Sequence, residues 1–228
     1  MVPWPRNAKI AFIGSHGIRK TTAALAFASA IQRAGRSVEF AREVVRDNPL
    51  GINEGATAEA QLWVLTSQIR RELELSRKAE CLVTDRGVMD NFAYYLRAGG
   101  GEDHFDVEPL IRQWSRTYDL VVRLTPDVEI RADGVRSTND RFRDEIEAIL
   151  DARLPRLVPR DRLVVQAASG ITESHDWWPL AEQLAMRLGE PLLAEGVSRP
   201  ARPTRPAASR SRRLQAAAKD QLALDLGR

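Results

Sequence analysis

The sequence predicts an α/β fold in which a five-stranded parallel sheet carries helices on both of its faces. Five short apolar runs alternate with longer stretches of helical periodicity, which is the pattern of parallel strands joined by helical crossovers. Polar residues directly follow several of these runs, at the edge where parallel strands end together. We therefore expect a ligand site at that edge of the sheet.

The predicted strands are short and mostly apolar. The first is read as apolar throughout, so we expect it at the centre of the sheet. The third opens on Cys81, the single cysteine, which is expected to be an unreactive core residue. The predicted strands are 9–13, 37–41, 81–84, 119–124 and 162–166.

Start and stop signals bound the predicted helices. Gly35 is expected to end the first helix and Thr57 to cap the second, while the glycines at 99–101 end the third. Pro109 lies in the first turn of the fourth helix, and Asp176 is expected to cap the last. The predicted helices are 21–33, 57–78, 90–97, 107–117, 144–154 and 177–188. The second helix is expected to turn one stripe to the core: Leu62, Leu65, Ile69, Leu73 and Leu75.

A loop of special composition joins the first strand to the first helix. Its residues are Gly14, Ser15, His16, Gly17, Ile18, Arg19, Lys20, Thr21 and Thr22. This layout is that of a phosphate-binding P-loop, in which backbone N–H groups and a helix N-terminus surround an anion. Lys20 is expected to reach the outer phosphates of ATP and Thr21 to hold Mg²⁺, while His16 shapes the loop or touches phosphate. The sequence thus predicts a P-loop NTPase fold that uses ATP and Mg²⁺.

Arg19 departs from the usual pattern G-x-x-x-x-G-K-[ST], because it stands where the second glycine belongs. Gly14 and Gly17 remain to supply the tight turn. We expect Arg19 to adopt helical backbone angles, with its side chain turned outward or directed onto phosphate. The alternative is a loop in which nucleotide binding is impaired.

Asp85 and Arg86 follow the third strand. A carboxylate at this place can hold Mg²⁺ or accept the proton of an attacking hydroxyl, and Arg86 can bind a phosphate or orient the substrate. The alternative is that Asp85 only caps the next helix.

The polar and basic segment 127–141 precedes the fifth helix, and the arginines of 131–143 are expected to form a lid. An arginine delivered by closure stabilises the charge that develops on the γ-phosphoryl group. Arg136 is the first candidate, with Arg131 and Arg141 as alternatives. The other interpretation is a solvated charged loop.

Glu43 and Arg46 follow the second strand, on the expected acceptor side. A glutamate there can hold the hydroxyls of a ribose or another sugar, so both residues are candidate substrate ligands. The alternative is a surface salt bridge, which contributes little.

Together these motifs resemble the ribosylnicotinamide-kinase-like family of P-loop ATPases, with a variant Walker A loop. The loop Gly-Ser-His-Gly-x-x-Lys-Thr-Thr, the segment Glu-Val-Val-Arg at 43–46 and the run from Thr84 to Tyr94 are similar to that family's motifs. The resemblance covers residues 8–188. It implies binding of ATP and Mg²⁺ and transfer to a nucleoside-like hydroxyl, but it does not identify the acceptor.

Composition and charge narrow the class of protein. Hydrophobic residues make up 43% and charged residues 29% of the 228-residue chain, as in globular proteins. No apolar run approaches the roughly 20 residues that span a bilayer, and no signal peptide is recognised. A single cysteine excludes an internal disulfide. We therefore expect a cytoplasmic location and no membrane contact.

The positive net charge belongs to the C-terminal tail. Residues 196–228 hold eight of the basic and two of the acidic residues, leaving 26 basic and 29 acidic residues in 1–195. The charge therefore does not indicate a basic face on the domain. We predict a nucleotide-binding domain at 1–195, a disordered basic Arg/Pro linker at 196–213 and a short helix or docking peptide at 214–228.

The end of the chain suggests a second class of function. The segment 221–226 resembles the short peptide that docks on bacterial sliding clamps, with candidate contacts from Gln221, Leu222, Leu224 and Leu226. The basic linker adds weak nonspecific attraction to nucleic acid. The sequence thus leaves two hypotheses, an ATP-dependent kinase of a small acceptor and a non-kinase ATPase or adaptor docked on a clamp.

Overall fold

Among the residues that the computed structural model describes, which are 8–101, 103–127, 139–170 and 178–188, five strands form one sheet. They are β1 (Ala8–Ile13), β2 (Val38–Ala41), β3 (Cys81–Asp85), β4 (Leu120–Thr125) and β5 (Leu163–Ala167). All neighbours are parallel, in the order β2-β3-β1-β4-β5. The predicted fold class is confirmed, and β1 is central as expected.

Helices cover the two faces of the sheet. They are α1 (Lys20–Arg33), α2 (Ala58–Leu75), α3 (Val88–Arg97), α4 (Glu108–Ser115), α5 (Asp140–Leu157) and α6 (Trp178–Leu188). Successive side chains of β1 point to opposite faces, so Ile10 and Phe12 pack with α1 and α6, and Ala11 and Ile13 pack with α2 to α5. The described residues all belong to Met1–Val197, the first of two units of the chain; the second is Ser198–Arg228.

Local capping explains where the helices begin and end. Thr57 accepts the N–H of Ala60 at 3.3 Å and caps α2 as predicted, and Gly35 follows α1 with φ of 91°. Helix α5 is longer than predicted because Asn139 caps it, accepting the N–H of Phe142 at 3.2 Å. The predicted cap Asp176 lies outside the described residues.

The apolar stripe predicted for α2 is confirmed except at Leu73, because Leu65 and Leu75 are buried and Leu62 and Ile69 pack against the core. Leu73 is 44% exposed, whereas Gln61, Gln68 and Glu72 are buried. The buried face of the helix therefore includes polar residues beside the leucines. It turns polar side chains toward the protein interior, which is stable only when those groups are paired.

A buried polar network pairs Glu72, to which Gln68 also donates at 2.9 Å, and it corrects the view of β1 as wholly apolar. Lys9 on β1 is 7% exposed, and its Nζ lies 2.6 Å from Glu72 Oε2. Tyr118 Oη and Trp114 Nε1 donate to the same carboxylate at 2.7 and 2.8 Å. The Lys9 ammonium also lies 4.4 Å from the centre of the Tyr118 ring. The network thus ties β1, α2 and α4 together.

Two other expectations concern the core and the membrane. Cys81 is buried in the core as predicted, and burial raises the pKa of its thiol to about 11, so it stays protonated. No helix within the described ranges is long and apolar enough to cross a membrane.

Candidate functional site

The loop between β1 and α1 makes its turn with three positive φ angles. Gly14 has φ of 140°, Gly17 76° and Arg19 60°. A Cβ on Gly14 would lie 2.6 Å from the carbonyl oxygen of Leu124 and 2.5 Å from the side chain of Ile18. Gly14 is therefore required both for its backbone angle and for the close approach of β4.

Arg19 takes the backbone conformation of the glycine that it replaces. With φ of 60° and ψ of 30° it is left-handed, so the expectation of helical angles is wrong. This conformation costs a residue with a side chain roughly 1–2 kcal/mol. The side chain is half-buried, and it makes no hydrogen bond or ion pair with the described part of the chain.

The loop and the end of β3 are joined by a hydrogen bond. Thr21 Oγ1, in the first turn of α1, donates to Asp85 Oδ2 at 2.5 Å. Lys20, the preceding residue, is buried and its Nζ donates to the carbonyl oxygen of Ser15 within the loop. The structure therefore brings three of the predicted site residues together at the carboxyl edge of the sheet.

Burial shifts the ionisation of both charged groups. It lowers the pKa of Lys20 to about 8, assisted by the positive charge of Arg86. It also raises the pKa of Asp85, although the hydrogen bond from Thr21 opposes this shift. A hydroxyl and a carboxylate oxygen side by side suit Mg²⁺, which completes its shell with water and phosphate oxygens. Within the described ranges there is no group of three or more His, Cys, Asp or Glu that would suggest a different metal site.

Arg86 is fixed in place by two carboxylates and an aromatic ring. Its Nε donates to Glu43, its Nη1 lies 3.8 Å from Asp90 Oδ2, and its guanidinium carbon lies 4.9 Å from the centre of the Tyr94 ring. Arg86 has φ of 85°, a left-handed conformation at the turn out of β3. These partners hold the guanidinium rigidly beside the loop.

Two alternatives from the sequence are excluded by these contacts. The side chains of Glu43 and Arg86 are only 6% and 7% exposed, so theirs is a buried ion pair and not a surface salt bridge. Asp85 does not cap α3, because the N–H of Gly87 at the start of that helix donates to Asp90 at 2.8 Å. Burial also raises the pKa of Asp90 to about 6, despite the opposing charge of Arg86.

His16 connects the loop to neighbouring aromatic residues. Its ring stacks on Phe142 of α5 with 5.0 Å between centroids, and Nδ1 is 3.1 Å from Tyr94 Oη. Burial, with the charges of Arg86 and Lys20, lowers the pKa of His16 to about 4, so the ring is neutral at pH 7. A neutral, packed imidazole fits the expected role in shaping the loop.

A pocket opens beside the loop. Its walls include His16, Glu43, Arg46, Asn91 and Tyr94, so the predicted acceptor residues Glu43 and Arg46 both line it. His16 Nε2 and Asn91 Nδ2 are buried and have no hydrogen-bond partner among the described residues. The pocket thus combines aromatic surface with polar groups that a ligand can satisfy.

Sequence reasoning missed one pair of residues that contacts the loop. Arg123 is 2% exposed in the middle of β4 and pairs with Glu147 of α5, and Glu147 accepts the backbone N–H of Ser15 at 2.9 Å. The signal for Arg123 was a single arginine inside an apolar run. Nothing in the sequence pattern singles out Glu147 from the other acidic residues of its helix.

The remaining predicted residues are distributed as follows. Ile18 is in the core and Thr22 is exposed on the first turn of α1. Arg141 is exposed at the start of α5, where it pairs with Glu145 at 3.1 Å. Outside the described residues lie Arg131, Arg136, Gln221, Leu222, Leu224 and Leu226.

Comparison with known protein families matches residues 9–169, more than half of the chain, to the AAA domain. The chain belongs to this family. The match spans the loop, the end of β3 and the carboxyl edge of the sheet. Together with the parallel sheet and the loop after β1, the match confirms the predicted P-loop domain. No curated protein matches the chain significantly.

Solved structures with a similar fold include two of NadR and one kinase. A NadR complex with NR has a TM-score of 0.54 and 19% identity and covers 70% of this AAA domain chain. A NadR complex with NAD and AMP-PNP has a TM-score of 0.55 and 16% identity and covers 81% of this chain. Thymidylate kinase from Candida albicans has a TM-score of 0.54 and 15% identity and covers 80% of this chain. The chain spans 43% and 50% of the two NadR chains and 94% of the thymidylate kinase. At these identities the likeness establishes the fold.

Proposed function

We propose that this AAA domain binds Mg²⁺-ATP at its phosphate-binding loop and transfers the γ-phosphoryl group to a hydroxyl of a small nucleoside-like acceptor. The observation that carries the proposal is the 2.5 Å contact between Thr21 Oγ1 and Asp85 Oδ2, beside the buried Lys20 and the pocket. The shared fold with NadR and with a thymidylate kinase supports phosphoryl transfer as the class of reaction.

In this proposal the loop residues bind the nucleotide. Lys20 turns from the Ser15 carbonyl to the outer phosphates and remains largely protonated at pH 7, because its pKa stays near 8. Mg²⁺ would be held by the oxygens of Thr21 and Asp85 and would neutralise the charge that develops on the phosphates. The contact with Thr21 favours this role for Asp85 over that of a general base.

The acceptor is proposed to occupy the neighbouring pocket. Tyr94 and Phe142 offer flat surfaces to a ring, and Asn91 offers a buried amide to a hydroxyl or carbonyl. Arg86, held by Glu43, orients the acceptor or the transferring phosphoryl group as a fixed cation. Arg46 lies at the exposed rim of the pocket and is a further candidate contact.

Arg136 is proposed to complete the site by approaching the γ-phosphoryl group. The support is its position in the polar segment before α5, together with the need for a mobile cation in phosphoryl transfer. A cytoplasmic location is part of this proposal, because ATP and an unpaired cysteine both suit that compartment.

The proposal is tested by calorimetric titration with Mg²⁺-ATP and by ADP release in the presence of a panel of nucleosides. Lys20→Ala and Asp85→Asn are expected to lose nucleotide binding or turnover, whereas Lys78→Ala, a change at an exposed lysine beyond α2, serves as the matched control. Absence of ATP binding by the wild-type chain would reject the proposal. Binding without nucleoside-stimulated ADP release would reject the kinase and favour an ATPase or adaptor.

The second candidate function is nucleotide-dependent docking on a sliding clamp. Its support is the sequence of 221–226, following the basic linker proposed at 196–213. Deleting 214–228 and measuring clamp affinity by interferometry tests it, with ADP release measured with and without DNA. Unchanged clamp affinity after the deletion would reject the docking role.

A further inference from the structure

The middle of the sheet contains a buried arginine that packs against the start of the loop. Arg123 on β4 is 2% exposed and pairs in register with Ile13, the last residue of β1. Its Nη1 donates to the Leu124 carbonyl at 2.8 Å. A Cβ on Gly14 would lie 3.1 Å from the same Nη1 atom. A cation buried this deeply is stable only with an anionic partner.

Glu147 of α5 is the partly buried partner of this arginine, and it contacts the loop as well. Arg123 Nη2 donates to Glu147 Oε2 at 2.5 Å, and the other carboxylate oxygen, Oε1, accepts the backbone N–H of Ser15 at 2.9 Å. Burial alone would raise the pKa of Glu147. The hydrogen bonds and charge of Arg123, with the Ser15 N–H, outweigh burial and lower the pKa, so the carboxylate is charged at neutral pH.

Ser15 is consequently held on both of its peptide groups. Its N–H donates to Glu147, and its carbonyl oxygen accepts from Lys20. A loop whose N–H groups must converge on phosphate loses conformational freedom when it binds. Fixing the first turn in advance removes part of that cost.

We propose that Glu147 is a positioning residue for nucleotide binding, which holds the first turn of the loop in the shape that receives phosphate. Arg123 orients the carboxylate and balances its negative charge, which would otherwise oppose the approach of an anion. The inference rests on the proposed function, because it takes the loop to be the ATP site. It adds α5 to the elements that determine nucleotide affinity.

Titration of the full chain with Mg²⁺-ATP tests the inference. Glu147→Ala removes the acceptor of the Ser15 N–H and is expected to weaken binding about tenfold or more, as for loss of a charged hydrogen bond. Asp151→Ala is the matched control. Asp151 is one helical turn further along α5, also lies 3.3 Å from Arg123, but is 76% exposed and does not contact the loop. This control is expected to change affinity less than about twofold.

A spectroscopic measurement separates the contact from the nucleotide affinity. In ¹H–¹⁵N spectra without nucleotide, the Ser15 amide proton is expected to shift upfield in Glu147→Ala and to stay in place in Asp151→Ala. Glu147→Gln keeps the size of the side chain and one acceptor oxygen, so it should restore much of the ATP affinity and much of the Ser15 amide shift. This variant tests the inference if the alanine variant fails to fold.

An unchanged Ser15 amide in Glu147→Ala, or equal loss of ATP affinity in Asp151→Ala, would overturn the inference. Failure of the wild-type chain to bind Mg²⁺-ATP, with the Ser15 amide still responding to Glu147→Ala, would instead reject the proposed function and leave the contact intact. The two failures are therefore distinguishable.

Discussion

Replacing Arg19 with glycine is expected to stabilise the fold, because the backbone at this position has left-handed angles. At φ of 60° and ψ of 30°, a residue with a side chain lies roughly 1–2 kcal/mol above its preferred conformation. Glycine removes this strain but loses more backbone entropy on folding, about 0.5–1 kcal/mol relative to alanine. The expected net gain is about 0.5–1 kcal/mol, or roughly 1–4 °C in Tm for a domain of this size.

Arg19→Ala is the matched control, since it removes the guanidinium but keeps a Cβ in the strained conformation. Thermal unfolding followed by circular dichroism should place the glycine variant above both the wild type and the alanine variant. A Tm for Arg19→Ala as high as that of Arg19→Gly would refute the strain argument. Calorimetry with Mg²⁺-ATP adds a second criterion: no binding by wild type, with tight binding by Arg19→Gly, would show that the arginine impairs the loop.

Three further perturbations test other parts of the structure. Glu72→Leu is expected to cost about 3–5 kcal/mol in urea unfolding, because it leaves a buried ammonium without its partner, whereas the exposed Glu74→Leu should stay within about 0.5 kcal/mol. Gly14→Ala should abolish ATP binding and destabilise the fold more than Gly51→Ala. Both glycines have positive φ, but only a Cβ added at Gly14 would meet the backbone of another strand. The pKa of His16 in the folded protein is about 4, below its usual 6.5. The unfolded chain therefore binds the proton first, and the free energy of unfolding falls as the pH drops from about 6.5 to about 4. Urea unfolding at several pH values should show a weaker pH dependence in His16→Gln.

Each of these expectations has a result that contradicts it. Equal costs for the leucine variants at 72 and 74 would mean that the buried network does not stabilise the fold. Equal effects of alanine at 14 and 51 would show that backbone strain, and not the contact with β4, decides the outcome. For the pH dependence, His104→Gln is the control at an exposed histidine. If the unfolding free energy depends on pH as steeply in His16→Gln as in His104→Gln, His16 is excluded as the source of the slope.

The five parallel strands, the central place of β1 and the residues at the strand ends could be predicted because they depend on local patterns. Apolar runs separated by helical stretches imply a parallel sheet, and parallel strands bring Lys20, Thr21 and Asp85 to one edge whatever the details of packing. The place of Glu43 at this edge could be predicted by the same logic, but its buried ion pair with Arg86 could not. The partner of a charged side chain depends on how helices pack, which the spacing of residues along the chain does not encode.

The same limit explains why the polar residues buried in α2 and β1 were missed. Leucines at helical spacing indicated the buried face of α2, but they did not indicate that Gln68 and Glu72 share it. Glu72 is buried because Lys9, Trp114 and Tyr118 pair with it, and Gln68 donates to Glu72 in turn. A residue-by-residue measure of polarity places each of these groups outside. Only the complete network makes their burial favourable.

Under the proposed function, the position of His16 limits how the chain can change its acceptor. This one residue belongs to the phosphate-binding loop and also forms a wall of the neighbouring pocket. A substitution at His16 that reshaped the pocket would also disturb the loop proposed to bind the nucleotide. Acceptor preference and nucleotide binding therefore cannot change independently at this residue. New acceptor preferences, whether they arise in nature or by design, would have to come from lining residues outside the loop, such as Ile52, Asn53 and Val64.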